Sequence, residues 1–201
     1  MKLYYVPMTR AGRARWMLEE LEVPYELHRL DVTTQENKGA AYRAIHPLGQ
    51  VPALVDGDVT VFESLAVLLY LADKYPEKGL APPVGSPLRG AYYTWSVYSM
   101  VTVERAVDQV NQHTVRLPAA ERVPAAAEAG RARFREAAEV VDRALDGRPY
   151  LIGDGFTAAD LMMASVLGWG RLMGMLGDQP RLEDYVKRHV SRPAAKRSRA
   201  D

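Results

Sequence analysis

The chain has no cysteine among its 201 residues. That excludes disulfides, thiolate metal sites and any mechanism in which the protein supplies its own thiol. Sulfur chemistry, if it takes place here, must use a sulfur brought by a ligand. Long apolar runs are missing as well. None approaches the roughly 18 residues of a membrane span, and the N-terminus (MKLYYVPMTR) meets charge too soon for a signal peptide. Net charge is only +1, from 26 Lys and Arg against 25 Asp and Glu, which gives no overall footprint for nucleic acid or an anionic membrane. Glycine-rich phosphate loops are absent. The four histidines (28, 46, 113 and 189) are scattered without ligand spacing, so no metal is expected. These exclusions point to a cytoplasmic protein with neither membrane nor nucleic acid as partner.

What is present is ordinary for a globular chain: 48% apolar and 25% charged residues. The length suits one large domain or two small ones. Strand and helix signals alternate through the first third. Residues 2–6 (KLYYV) suit a strand, and Ala14, Met17, Leu18 and Leu21 then form one stripe of an amphipathic helix. Tyr25 to Leu30 reads as a second strand, and a short helix fits around Ala40–Ile45. The order β-α-β-α-β-β-α predicts an α/β sheet with a terminal hairpin. Residues 75–88 (YPEKGLAPPVGSPL) hold four prolines and two glycines and mark a boundary. This gives a domain over 1–77, a linker over 78–87 and a helical domain over 88–201. Helices are expected from Leu88 to Gln112, through Phe134, Ala138, Val141 and Leu145, from Thr157, and over Leu182–His189. Thr157 and Asp160 read as a capping box with Phe156 and Leu161 as its staple. The tail, VKRHVSRPAAKRSRAD, is basic; it reads as a frayed, solvated terminus in preference to a nucleic-acid contact.

The most informative stretch is His46–Ser64, HPLGQVPALVDGDVTVFES. Pro52 opens a short strand, Asp56-Gly57 signals a hairpin, VTVF gives its second strand, and Glu63-Ser64 heads a helix. An unpaired backbone edge near Val51 then lies close to a helix N-terminus at Ser64. An edge pairs with extended peptide and a helix N-terminus attracts carboxylate. The arrangement suits a small, anionic, peptide-like ligand.

This segment also resembles the soluble glutathione transferase superfamily, in which Val-Pro followed by Glu-Ser binds glutathione. The resemblance extends to LYYVPMTRAGRARWMLEELEVPYE and YLIGDGFTAADLMMA and so spans nearly the whole chain, of bacterial type but without an assignable class. It implies an N-terminal thioredoxin-like domain, a C-terminal helical-bundle domain, glutathione as co-substrate with no metal, a small hydrophobic electrophile, a role in detoxification, and a homodimer with the helical domain and the hairpin edge in its interface. It also implies a cis bond before Pro52. That bond would turn the Val51 amide and carbonyl toward the cysteinyl backbone of glutathione. Glu63 would meet the γ-glutamyl ammonium, and Ser64 with the helix amides its carboxylate; without a ligand, the same two residues read as a solvated charge and an N-cap. Lys38 falls near where several classes place a basic residue for the glycyl carboxylate, although it reads equally as an inert surface lysine, and the Gln50 amide could donate to the same carboxylate.

For the sulfur the candidates are Thr9, Arg10 and Tyr5. Thr9 stands where serine-type members keep a hydroxyl and reads equally as the cap of the first helix; Tyr5 reads equally as core. Arg10, Arg13 and Arg15 oppose the dipole of the helix they open. A positive pocket that lowers the ligand thiol pKa accounts for them, and so does pairing with Glu19 and Glu20. In the helical domain Tyr92, Trp95 and Ser99 share one face and are the candidates for the electrophile, with core packing the plainer account. Two other readings stay open: a glutathione-dependent isomerase or peroxidase, and a non-catalytic binding module. The paired serine and cysteine of the maleylacetoacetate isomerase type are absent from residues 7–13, which lowers the isomerase.

Overall fold

Alternating short apolar strands and one-sided helices fold the first eighty residues into a sheet with helices packed on it. The structure is a computed structural model that describes residues 1–200. It divides into two compact units, Met1–Ala81 together with the segment from Ser191 onward, and Pro82–Val190. In the first unit the order is β1 (Lys2–Tyr5), α1 (Ala11–Leu21), β2 (Glu26–Arg29), α2 (Ala40–Arg43), β3 (Ala53–Asp56), β4 (Val59–Phe62) and α3 (Ser64–Lys74). The sheet runs β2-β1-β3-β4, with β1 parallel to β2 and antiparallel to β3. This is the thioredoxin-like arrangement expected from the sequence.

The stripe Ala14, Met17, Leu18 and Leu21 is fully buried on α1. On α3 the buried face is Leu65, Leu68 and Ala72 with Val67 and Leu71, while Leu69 is half-buried. The hairpin is tied to α3 by Asp56, whose carboxylate accepts bonds from Lys74 and from the Tyr70 hydroxyl at 2.7 Å. Those bonds hold its pKa below the ordinary aspartate range.

The C-terminal tail is not a frayed end. After Ser191 the chain forms α9 (Pro193–Arg197), which packs on α1 with Ala194, Ala195 and Ser198 buried. Arg192 makes a bidentate pair with Glu20 (2.7 and 2.8 Å), and Arg197 bonds the Glu19 carboxylate at 2.7 Å. Arg15 reaches from α1 to the Ala200 carbonyl at 2.9 Å. The acids of α1 thus meet arginines of the tail, a long-range pairing that single-helix spacing does not show.

The second unit is helical. Its first helix, α4 (Leu88–Tyr98), continues through wider turns over Ser99–Glu104 into α5 (Arg105–Asn111) and on to Arg116. Then come α6 (Pro124–Ala144), α7 (Ala158–Leu172) and α8 (Pro180–Val190). Phe134, Ala138, Val141 and Leu145 are buried, as their spacing predicted. Helices α5 and α6 approach so closely at Gly130 that an added Cβ would lie 2.9 Å from Val110 and 3.1 Å from the Ala106 carbonyl oxygen. The capping box forms: Asp160 accepts from the Thr157 amide (3.0 Å) and hydroxyl (2.9 Å), and also from the Leu151 amide and the Tyr185 hydroxyl, both at 2.9 Å. Burial pushes its pKa up against those four bonds. Among the described residues, no helix is long and apolar enough to cross a membrane.

Candidate functional site

Strand register brings three segments to one end of the sheet. Tyr4 pairs with Ala53, and Ala53 with Phe62. The turn that follows β1 (Val6–Arg10), the residues just before β3 (Val51-Pro52) and the residues just after β4 (Glu63-Ser64) therefore lie beside one another. Sequence spacing alone puts the first of these segments more than forty residues from the other two; pairing of the strands closes the gap.

At the β4–α3 corner Glu63 has φ 73° and ψ 121°, a left-handed backbone on a residue other than glycine. Such strain is retained where the surroundings impose it, commonly at ligand sites. Its carbonyl accepts from the Val67 amide at 3.0 Å, which starts the helix. The expected cap thus shifts by one residue: Glu63 is the N-cap, no side chain caps the helix, and Ser64 is its first residue. The N-terminal amides of this 11-residue helix are left to meet an anion. Ser64 is 2% exposed, and its hydroxyl oxygen accepts from the Arg13 guanidinium at 3.4 Å. The Glu63 side chain is exposed.

The loop before β3 is held from outside by residues near α2. Asn37 donates to the Gly49 carbonyl (2.9 Å), Lys38 to the Leu48 carbonyl (3.3 Å) and the Tyr42 hydroxyl to the Gln50 carbonyl (2.6 Å). Gly49 has φ +59°, and a Cβ there would lie 2.1 Å from the Asn37 carbonyl oxygen. Gln50 and Lys38 are exposed. Val51 is half-buried against the cluster of Leu30, Tyr42 and Ala53, and its bond to Pro52 is cis. Val51 lies outside both strand ladders, which begin at Ala53. His46 supports the corner from below: its Nδ1 accepts from the Leu48 amide (3.3 Å), and its ring sits 4.9 Å from Phe62. Burial pulls its pKa down and keeps the ring neutral.

On the sulfur side the three candidates differ. Thr9 is exposed, but its hydroxyl donates to the Val6 carbonyl at 2.6 Å and accepts from the Ala11 amide at 3.3 Å. Those bonds fix the turn before α1, whose N-cap is Arg10 with no side-chain cap bond. Arg10 is exposed on the same turn. Tyr5 is a correction: at 4% exposure it belongs to the core, with the Arg15 guanidinium 5.4 Å from its ring centre. Strand alternation places it on the same face as Leu3, under α1. The arginines also divide their work. Arg13 goes to Ser64 and Arg15 to the tail, so Arg10 alone of the three is left exposed on the turn.

In the helical unit Tyr92 and Ser99 are likewise corrected. Both are 0% exposed, and Ser99 spends its hydroxyl on the Trp95 carbonyl at 2.7 Å with the Met163 sulfur 3.7 Å away. The face they share is the one turned to the core of this unit, which is why aromatic and small residues repeat along it. Trp95 is half-buried, its ring edge-on to Tyr98.

Sequence reasoning passed over Tyr42 and His46, and it offered Arg13 only the acids of its own helix, Glu19 and Glu20, where the structure gives it Ser64. An Arg buried in the first turn of a helix was the available signal; what it holds is fixed only by the packing of α1 against α3.

The family model for the glutathione S-transferase N-terminal domain matches residues 1–73, and that for the C-terminal domain matches residues 124–188. Glutathione S-transferase 3 of Zea mays is 32% identical over 203 residues, covering 96% of this chain and 90% of that protein. The disulfide-bond oxidoreductase YfcG of Escherichia coli is 28% identical over 204 residues, covering 96% and 91%. The crystal structure of a glutathione transferase from Methylococcus capsulatus superposes with a TM-score of 0.86 at 28% identity, over 98% of this chain and 96% of that one.

Proposed function

The chain belongs to the glutathione S-transferase superfamily, and from that premise we propose that it joins the thiolate of glutathione to small hydrophobic electrophiles. The observation that carries the reading is the Glu63-Ser64 corner. An exposed carboxylate and an uncapped helix N-terminus stand side by side on a strained backbone. An amino-acid zwitterion needs one group for each of its charges, and this corner offers both. In this reading Glu63 meets the γ-glutamyl ammonium, while the α3 amides and the Ser64 hydroxyl meet its carboxylate. Arg13 donates to the Ser64 oxygen, which leaves the hydroxyl proton for the ligand. The Val51 backbone takes the cysteinyl residue like an added strand next to Pro52, and Lys38 with Gln50 takes the glycyl carboxylate.

The sulfur then falls to Thr9 and Arg10. Arg10 supplies positive potential that favours the thiolate. Thr9 must turn its proton from the Val6 carbonyl to the sulfur. The thiolate attacks an electrophilic carbon; a carbon–sulfur bond forms, and a leaving group departs or a proton adds. Holding both partners together and keeping the sulfur ionised account for the rate. We further propose detoxification in the cytoplasm as the setting and a homodimer as the working form. Tyr93, Val97 and Val101, exposed at intervals of four residues, and the exposed Phe62 on edge strand β4 support the dimer.

A second reading, glutathione-dependent reduction of a disulfide, is favoured by the similarity to the oxidoreductase YfcG. With no cysteine in the chain, glutathione must supply every thiol of that reaction.

Calorimetry with glutathione on wild type and Ser64→Ala, followed by an ultraviolet thiolate spectrum near neutral pH, tests the proposal. The expected results are weaker binding in Ser64→Ala and thiolate absorbance that Thr9→Val diminishes. Binding without ionised sulfur would indicate a non-catalytic module, and no binding would end the glutathione reading.

A further inference from the structure

Successive carbonyls of the loop before Val51 each accept a bond from a side chain: Leu48 from Lys38, Gly49 from Asn37 and Gln50 from Tyr42. Two of these donors, Asn37 and Lys38, ride on one tight helical turn, Glu36–Lys38. The first residue of that turn holds it in place. The Glu36 carboxylate accepts from the Asp31 amide on Oε2 at 2.8 Å, and its Oε1 lies 2.8 Å from Nε2 of the His28 ring. The Glu36 amide in turn donates to the Asp31 carbonyl at 3.1 Å. Glu36 thus closes the neck of the loop 31–36 and ties it to β2.

The neighbours of Glu36 keep that closure rigid. The Asp31 carboxylate accepts from the Thr33 amide (2.8 Å) and hydroxyl (2.6 Å) and from the Thr34 amide (3.3 Å). Hydrogen bonds hold the pKa of Asp31 and of Glu36 below the ordinary carboxylate range, so both are ionised near neutrality. An ionised carboxylate only accepts, and the imidazole therefore donates from Nε2. His28 is fixed by the sheet, where it pairs with Tyr4. Its ring lies 4.9 Å from the Tyr4 ring, which lies 5.4 Å from that of Tyr42. Lys38 has three N–H donors and gives one to the Leu48 carbonyl, leaving two for an anion. Its stem is flexible, so its aim depends on the turn that carries it.

We propose that Glu36, anchored by His28, is a positioning residue that aims Lys38 at the glycyl carboxylate of glutathione. The proposal rests on the glutathione reading above and adds to it the pair that sets affinity for one end of the tripeptide. Both residues act through Lys38. Their side chains are 39% and 34% exposed, so the effect is several-fold.

The probes are glutathione and its glycyl ethyl ester, the same tripeptide without that charge, titrated by calorimetry into the full chain. Wild type should bind glutathione more tightly than the ester. Glu36→Ala should weaken glutathione roughly three- to fivefold and leave the ester unchanged. The sign is informative, because removing a negative charge beside an anion site would by itself tighten binding. His28→Phe, which keeps a ring against Tyr4, should match it, and the double variant should bind no worse than the weaker single one. Glu36→Gln should recover most of the affinity, since its amide serves both neighbours once the imidazole hydrogen moves to Nδ1. Asp58→Asn, an exposed acid on the hairpin turn, should bind both probes as wild type does. Glutathione affinity that is unchanged or higher in Glu36→Ala overturns the proposal. So does an equal loss of both probes, which would mean that the loop had collapsed without any selective effect on the carboxylate. Wild type that binds neither probe ends the glutathione reading itself, and the positioning role with it.

Discussion

The guanidinium of Arg13 on α1 lies 3.4 Å from the hydroxyl oxygen of Ser64 on α3, across 51 residues of chain. Both groups are buried, so the contact is desolvated and its geometry is fixed by helix packing. A serine oxygen that accepts from arginine points its own proton away, toward the mouth of the corner. Arg13→Met keeps an unbranched apolar stem in place and removes the donor. Glutathione affinity should fall roughly tenfold, the equivalent of about 1.4 kcal/mol, in line with a hydrogen bond to a charged group. Calorimetry on the variant measures this, and unchanged affinity would detach Arg13 from the site.

Gly49 offers a test of the loop that presents Val51. Its φ of +59° disfavours a side chain, and the Asn37 carbonyl oxygen lies only 2.1 Å from where a Cβ would stand. Gly57 in the hairpin has nearly the same φ, +60°, with open space around it. Gly57→Ala should therefore cost only the backbone strain, about 1 kcal/mol. Gly49→Ala should cost at least about 2 kcal/mol more, in the range of overpacking, and weaken glutathione binding as Gln50 and Val51 are displaced. Chemical denaturation and calorimetry on the pair separate strain from collision.

The α1–α9 contact predicts a response to acid. Burial alone would raise the Glu19 pKa, but bonds from the Tyr25 hydroxyl and Arg197 outweigh it and hold the value below its usual 4.5. The folded state thus binds fewer protons than the unfolded chain in that window. The stability Glu19 contributes is full above the ordinary glutamate range and disappears as pH falls through the lowered value. Melting temperatures of wild type and Glu19→Gln should differ near neutrality and converge in acid.

Neighbouring Glu20 has a side chain only 8% exposed and a bidentate partner in Arg192. Arg192→Met should cost about 2 kcal/mol by leaving that carboxylate under-compensated, or roughly 4–8 °C of melting temperature for a chain of this size. Adding Glu20→Gln should restore part of the loss, as a double-mutant cycle would show.

Local patterns were legible where one element decides the outcome. The α1 stripe, the hairpin turn, the start of α3 at Ser64 and the Thr157–Asp160 box all follow from spacing and capping within a few residues. What was not legible depends on which elements meet. Tyr92 and Ser99 share a helical face, but spacing does not say whether that face meets a ligand or the core. Arg15 opens a helix against its dipole, and its reason lies 185 residues away at the Ala200 carbonyl. Thr9 satisfied two descriptions at once, and only the 2.6 Å bond to Val6 shows where its proton rests. Tyr42 and His46 carry no motif; they hold the loop from below, a role visible only once the loop is in place.

The α9 contacts also set an order of events during synthesis. Glu20 and Glu19 leave the ribosome early, and their partners Arg192 and Arg197 follow 172 and 178 residues later. The sheet and α1 of the first unit can assemble as soon as they are made, yet that unit is completed only after the whole of the second unit, Pro82–Val190, has been translated. The first unit is therefore finished only after the second, and until then the acidic face of α1 waits in water.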